Sequence, residues 1–144
     1  MTPSTRSYEF GVPWEDQYGY VQAIRTGSLL WVSGQFSHDA DGNFVAPAPL
    51  DQKGRISSFK QMGPQMRQSY ENLGRVLEHF GLTPAHVVEE VLYVLDMDAA
   101  FAVAGEVRKA FYGLPRPQVA STVLVTPRLA QPPQLIEIKF VVHT

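Results

Sequence analysis

The chain of 144 residues contains no cysteine. That removes thiol nucleophiles, cysteine-ligated zinc and disulfide scaffolds at once, and it fits a reducing compartment, taken here as the cytoplasm. An excess of charge of one sign is also missing, since twelve Lys plus Arg stand against fourteen Asp plus Glu. Such a balance leaves no electrostatic footprint for a phosphate backbone or an anionic membrane, so neither nucleic acid nor a membrane is expected as a partner. No apolar run approaches the length that spans a bilayer, and the opening residues MTPSTRSYEFG hold no apolar leader core. The expectation is one soluble domain, 1–144, large enough to bury a core without metal or disulfide support.

Residues 20–25 and 29–33 are short β-type runs separated by Thr26, Gly27 and Ser28, a hairpin signal. After a Pro-rich loop, Pro64 suits the first turn of a helix, where its missing N–H is not needed. From it Met66, Tyr70, Leu73, Leu77 and Phe80 recur at spacings of four and three, the period of one buried helical face, and Gly81 stops the helix. Thr83 and Pro84 open a short turn, and residues 87–95 (VVEEVLYVL) form a β-type run. Asp98 is placed to cap a second helix with an apolar side of Phe101, Ala104, Val107 and Phe111, ending at Gly113 to Pro115. Residues 119–125 and 135–143 complete the strands. The order ββαβαββ predicts an α+β fold, one mixed sheet with both helices on one face.

In 29–33 and 91–95 apolar residues occupy both alternating sets, although two helices cover only one side of a sheet. An apolar second face on a small protein marks an association surface, and a symmetric homo-oligomer is the simplest cover. In the last strand Ile136, Ile138, Phe140 and Val142 form one face; Leu135, Glu137, Lys139, Val141 and His143 form the other. Two readings of Glu137 stand at this point. It is a surface carboxylate beside Lys139, the usual state of a glutamate, or a general base in a cleft between subunits.

Several segments together resemble the Rid/YjgF family of reactive-intermediate deaminases: YVQA at 20–23, LWVSGQ at 30–35, YENL at 70–73, GLTPAHV at 81–87, YVLDM at 93–97 and LIEIK at 135–139. The resemblance implies a chorismate-mutase-like fold assembled as a homotrimer, its sheets forming a central barrel with three clefts between subunits. It implies a small-molecule ligand, no cofactor, and hydrolysis of imines and enamines to a keto compound and ammonia. It places the cleft at Tyr20, at Ser33, Gly34 and Gln35, at Ala120, Ser121 and Thr122, and at Glu137. Water adding to an iminium carbon needs a group that holds the water and accepts its proton, the role implied for Glu137, with Tyr20 beside it.

The family carries an arginine near the start of its penultimate strand, where a guanidinium can grip a substrate carboxylate with two parallel hydrogen bonds. The matching residue here is Ala120, so a small 2-imino acid loses its anchor. A family asparagine on the second helix falls on Gly105. Arg116 and Arg128 are the nearest arginines in sequence, and Arg116, flanking the predicted cleft, is the first candidate to replace the anchor. Other signals point to local structure. Residues 39–43 (DADGN) lack the remaining ligands of a calcium loop and read as a tight turn. The four histidines have no metal-type spacing, and Ser33 has no nucleophile elbow around it. Three functions stay open: an imine or enamine hydrolase, a small-metabolite binder without catalysis, and, against the charge balance, an RNA-directed ribonuclease.

Overall fold

The computed structural model describes residues 5–144. In chain order these form β1 (Thr5–Tyr8), α1 (Pro13–Tyr18), β2 (Ala23–Thr26), β3 (Leu29–Gln35), α2 (Met62–His79), a 3-10 turn (Pro84–His86), β4 (Val87–Val94), α3 (Met97–Tyr112), β5 (Ala120–Val125) and β6 (Ile136–His143). One six-stranded sheet runs β1-β2-β3-β6-β4-β5. Only β4 and β5 pair in parallel, and the crossover such a pair requires is α3. The fold is therefore the expected mixed-sheet α+β arrangement with two long helices, extended by β1 and α1, which the sequence reading left unassigned.

The core lies between the sheet and α2 and α3. Met66, Tyr70, Leu73 and Leu77 of α2 are all at most 1% exposed, as are Ile136, Ile138, Phe140 and Val142 of β6. The predicted periodicities thus meet face to face. Helix α3 differs from expectation at its start. Its N-cap is Asp96, whose Oδ2 accepts the Ala99 N–H at 2.9 Å, and not Asp98. The buried stripe is accordingly Ala100, Ala104 and Val107, and Phe101 points outward at 65% exposure. Helix α2 starts at Met62, two residues before Pro64, which remains in the first turn.

Among the described residues no helix lies over the opposite sheet face. It presents Trp31 and Leu124, 46% and 48% exposed, together with half-buried Ile24, Val91 and Tyr93. This is the apolar second face the strand patterns predict. Among the described residues no helix is long and apolar enough to cross a membrane.

On the helix side, the sheet contains one buried charge. Glu90 of β4 is fully buried; its Oε1 accepts the Tyr70 and Tyr112 hydroxyls at 2.8 Å each, and its Oε2 accepts Arg108 Nε at 2.8 Å and the Ser121 hydroxyl at 2.7 Å. Burial first, and the Glu90 charge second, push both tyrosine phenols well above their ordinary pKa. The cluster ties α2, α3, β4 and β5 together at one point.

Candidate functional site

Strand β3 carries an irregularity where it meets β6. Val32 pairs with Phe140 and Gln35 with Ile138, so Ser33 and Gly34 together oppose Lys139. A bulge of this kind bends its strand and redirects side chains. Here it brings the Gly34 backbone directly beneath Glu137. A Cβ built on Gly34 would lie 2.7 Å from the Glu137 Cδ and 2.9 Å from its Cγ, so only glycine leaves the carboxylate in place.

Glu137 is half-buried and takes no ion pair with Lys139; its partner is Gln134, whose Nε2 donates to Glu137 Oε1 at 3.1 Å. Gln134 is itself fully buried and fixed, since its Oε1 accepts the Gln131 N–H at 3.2 Å. The carboxylate is therefore held by an amide and keeps acceptor capacity on Oε2. The sequence reading missed Gln134. Its only signal was its place three residues before Glu137 in the loop that leads into β6.

Tyr20, expected to open the first strand at 20–25, lies instead in the loop between α1 and β2, and is 38% exposed. Burial raises its phenol above the ordinary value, the Gln22 amide opposes this, and the negative charges of Glu137 and Glu15 add to the rise. Tyr20 and Glu137 thus share one neighbourhood. The Ser33 hydroxyl donates to the Val21 carbonyl at 2.7 Å, which spends its proton on the scaffold. Gln35 is fully buried behind the bulge, donating to Gln22 Oε1 at 2.9 Å and to the Ser33 carbonyl at 3.0 Å. Gln22 Nε2 and Gln35 Oε1 have no partner among the described residues. A cavity of about 280 Å³ opens on the uncovered face against Ser33 and Gly34, walled by Trp31 and Lys139. Among the described residues no three His, Asp or Glu side chains gather as metal ligands do.

The remaining predicted residues fall elsewhere. Ala120 pairs with Glu89 of β4, whereas Glu137 pairs with Tyr93, four residues further along the same strand. They are offset by ~13 Å along the strands, at about 3.3 Å per residue, and by two strand spacings across them, so they lie roughly 16 Å apart. Thr122 is exposed beside Ala120 on β5, Gly105 sits on the open surface of α3 with no atom near its Cβ direction, and Arg116 is exposed in the loop before β5. One chain therefore brings Tyr20, Ser33, Gly34 and Glu137 together, whereas Ala120 and Thr122 are exposed on β5, Gly105 on α3 and Arg116 in the loop between those two elements.

Residues 15–144 match the family model described as Endoribonuclease L-PSP. The chain belongs to the YjgF/Rid family. A RutC family protein of Haemophilus influenzae is 34% identical over 92 residues, which cover 64% of this chain and 61% of that relative's length. The mitochondrial protein mmf2 of Schizosaccharomyces pombe is 32% identical over 110 residues, covering 76% of this chain and 74% of mmf2. Among solved structures, Rv2704 of Mycobacterium tuberculosis, a YjgF/YER057c/UK114 family member, superposes with a TM-score of 0.74 at 26% identity, covering 98% of this chain and 100% of that one. The open sheet with its helices on one face is thus the YjgF/Rid fold.

Proposed function

We propose that this YjgF/Rid chain hydrolyses an imine, enamine or related bond in a cleft between the subunits of a homotrimer, using Glu137 and water. The observation that carries the reading is the Glu137 carboxylate, held over Gly34 by the Gln134 amide on the uncovered sheet face. A base at this place accepts a proton from water as the water oxygen bonds to the C=N carbon and the π electrons pass to nitrogen. Glu137 then returns the proton to the nitrogen of the carbinolamine. The C–N bond then breaks as the hydroxyl proton of the carbinolamine passes to Glu137, so that a substrate that entered as the protonated imine leaves as ammonia and a carbonyl compound.

Two features support assembly. Nothing among the described residues covers the apolar face around Trp31 and Leu124, and the roughly 16 Å between Ala120 and Glu137 closes only if a second copy supplies its β5 edge. A small-metabolite binder without turnover is the second reading, favoured by Ala120 in place of a cation and by the Ser33 hydroxyl already engaged. A ribonuclease has less support, since 12 Lys plus Arg against 14 Asp plus Glu provide little attraction for a polyanion.

The test couples the protein to a pyridoxal-phosphate dehydratase that releases 2-iminopropionate, alongside imines without a carboxylate, and follows ammonia. The Glu137→Gln variant should lose all turnover and keep the trimer mass in light scattering. Wild type should turn over the carboxylate-free imines faster, and Ala120→Arg should raise 2-iminopropionate hydrolysis by about ten- to a hundredfold, the range of one charge-assisted contact. Equal rates for wild type and Glu137→Gln would remove Glu137 from the chemistry, and a monomer mass would remove the cleft.

A further inference from the structure

A second cavity lies apart from Glu137. It has a volume of about 440 Å³ and opens at one end of the sheet, beyond β4, between the loop around Arg55 and the loop that joins β5 to β6. Gln134 separates it from the site described above, lining the cavity and bonding Glu137. Its volume lies in the range of small-ligand sites.

The walls have one consistent chemistry. Ile56, Phe59, Leu95 and Leu129 supply an apolar surface, Arg55 and Arg128 supply two guanidinium groups, and no lining residue is an aspartate or glutamate. Arg128 has no ion-pair or side-chain hydrogen-bond partner among the described residues. Arg55 meets Asp51 only through Nε, at 3.5 Å, with both side chains exposed to solvent. That pair is weak and screened, and Asp51 Oδ1 is already committed to the Lys53 and Arg55 backbone N–H groups. The terminal nitrogens of both guanidiniums therefore remain available.

The cavity is also preformed, because one buried side chain staples its two walls. Gln65 of α2 donates from Nε2 to the Ala46 carbonyl and to the Pro133 carbonyl, both at 2.9 Å, and accepts the Leu135 N–H at 2.8 Å. The Ala48 N–H reaches Pro133 O at 3.1 Å, and the Arg55 loop is closed by Asp51 N–H to Arg55 O at 2.8 Å and Ser57 N–H to Pro49 O at 2.9 Å. Loops tied in this way cost little to order when a ligand arrives.

We propose that this cavity is a second binding site, which takes a small organic carboxylate with an apolar body. The carboxylate meets the guanidinium of Arg128, with Arg55 beside it, and the body lies against Phe59, Leu95 and Leu129. A planar two-oxygen head matches the guanidinium fork, whereas a bare inorganic anion would leave the apolar wall unused. The site does not depend on the chemistry assigned to Glu137.

The experiment uses the full chain and four probes, phenylacetate, phenylacetamide, acetate and inorganic phosphate, titrated by calorimetry and by amide NMR shifts. Phenylacetate should saturate below about 10 mM, and the other three should bind at least ~10-fold more weakly. Shifts should concentrate at Leu95, Leu129 and Gln131. Arg128→Gln should weaken phenylacetate at least ~10-fold and Arg55→Gln by a smaller factor. Both arginines are on the surface, and an unchanged amide spectrum elsewhere verifies that each variant is folded. Several results would overturn the proposal: no saturation, an amide or phosphate that binds as well as the acid, or indifference to Arg128→Gln.

Discussion

Replacing Glu90 by glutamine changes one atom at the most connected polar point of the fold. Its consequence can be worked from the four contacts. The Tyr70 and Tyr112 hydroxyls both donate to Oε1, so a glutamine oxygen placed there still accepts both. The new amide nitrogen falls where Oε2 receives Arg108 Nε and Ser121 Oγ. The serine hydroxyl can turn and accept, but the arginine then faces a donor and loses its ion pair. Hydrogen bonds to charged groups are worth about 1.5–3 kcal/mol, so Glu90→Gln should destabilise by ~2–3 kcal/mol. Glu90→Ala, which orphans every partner, should cost about 3–5 kcal/mol, the range for breaking a buried pair. Urea denaturation at fixed protein concentration measures both, fixed because assembly would make the midpoint concentration-dependent. At roughly 4 °C per kcal/mol for a domain of this size, Glu90→Gln should lower Tm by roughly 8–12 °C. Tyr70→Phe and Tyr112→Phe share one acceptor atom, so their combined cost should differ from the sum of the two. A glutamine variant within about 0.5 kcal/mol of wild type would refute the reasoning, since it would mean that Arg108, 23% exposed, is satisfied equally well by water.

Two further perturbations test the site and the scaffold. Gly34→Ala forces the Glu137 carboxylate aside and breaks its bond to Gln134; stability should change by at most about 1 kcal/mol, because a flexible side chain can move, while ligand turnover falls to the level of Glu137→Gln. His38 is buried among Phe10, Trp14 and Phe36, and that burial pushes its imidazole below the ordinary value, against the opposing bond to the Asp39 carbonyl. Below about pH 6.5 the unfolded chain binds a proton that the folded chain refuses, so stability should fall as pH drops from there to the folded value, by at most ~1.4 kcal/mol per unit. His38→Phe should flatten that part of a Tm-versus-pH curve, and an unchanged slope would show that another group titrates.

Periodicity made the core legible. Met66, Tyr70, Leu73 and Leu77 and the alternation of 136–142 needed only the geometry of a helix and a strand, and both faces lie where that geometry puts them. The uncovered face was legible for the same reason. What failed was anything set by contact at a distance. The α3 register was misread by the choice of Asp98 over Asp96, which put Phe101 inside instead of Ala100. β1 has four residues and α1 six, too short for a period to emerge, and the carboxylate that organises α1, Glu15, takes the N–H groups of Phe10, Gly11 and Val12. Within the β-type run 87–95, nothing in the pattern singled out Glu90. A register shift between Val87 and Glu89 turns Val88 outward, and partners twenty or more residues away make the inward charge tolerable. At the candidate site, Glu137 and Gly34 could be proposed from a resemblance, whereas Gln134 and the steric reason for Gly34 needed coordinates.

The strand order carries a consequence for synthesis. β6, last of the six in sequence, lies between β3 and β4, and joins the pair to its left and right through the two antiparallel ladders that unite the sheet. Until it has emerged from the ribosome, β1-β2-β3 and β4-β5 are two fragments with no hydrogen bond between them. Each offers an open edge to neighbouring chains. The sheet must therefore wait for β6 before it closes cooperatively, with the long-range pairings that slow such events. Because Glu137 rides on that strand, the candidate base arrives together with the element that unites the two fragments.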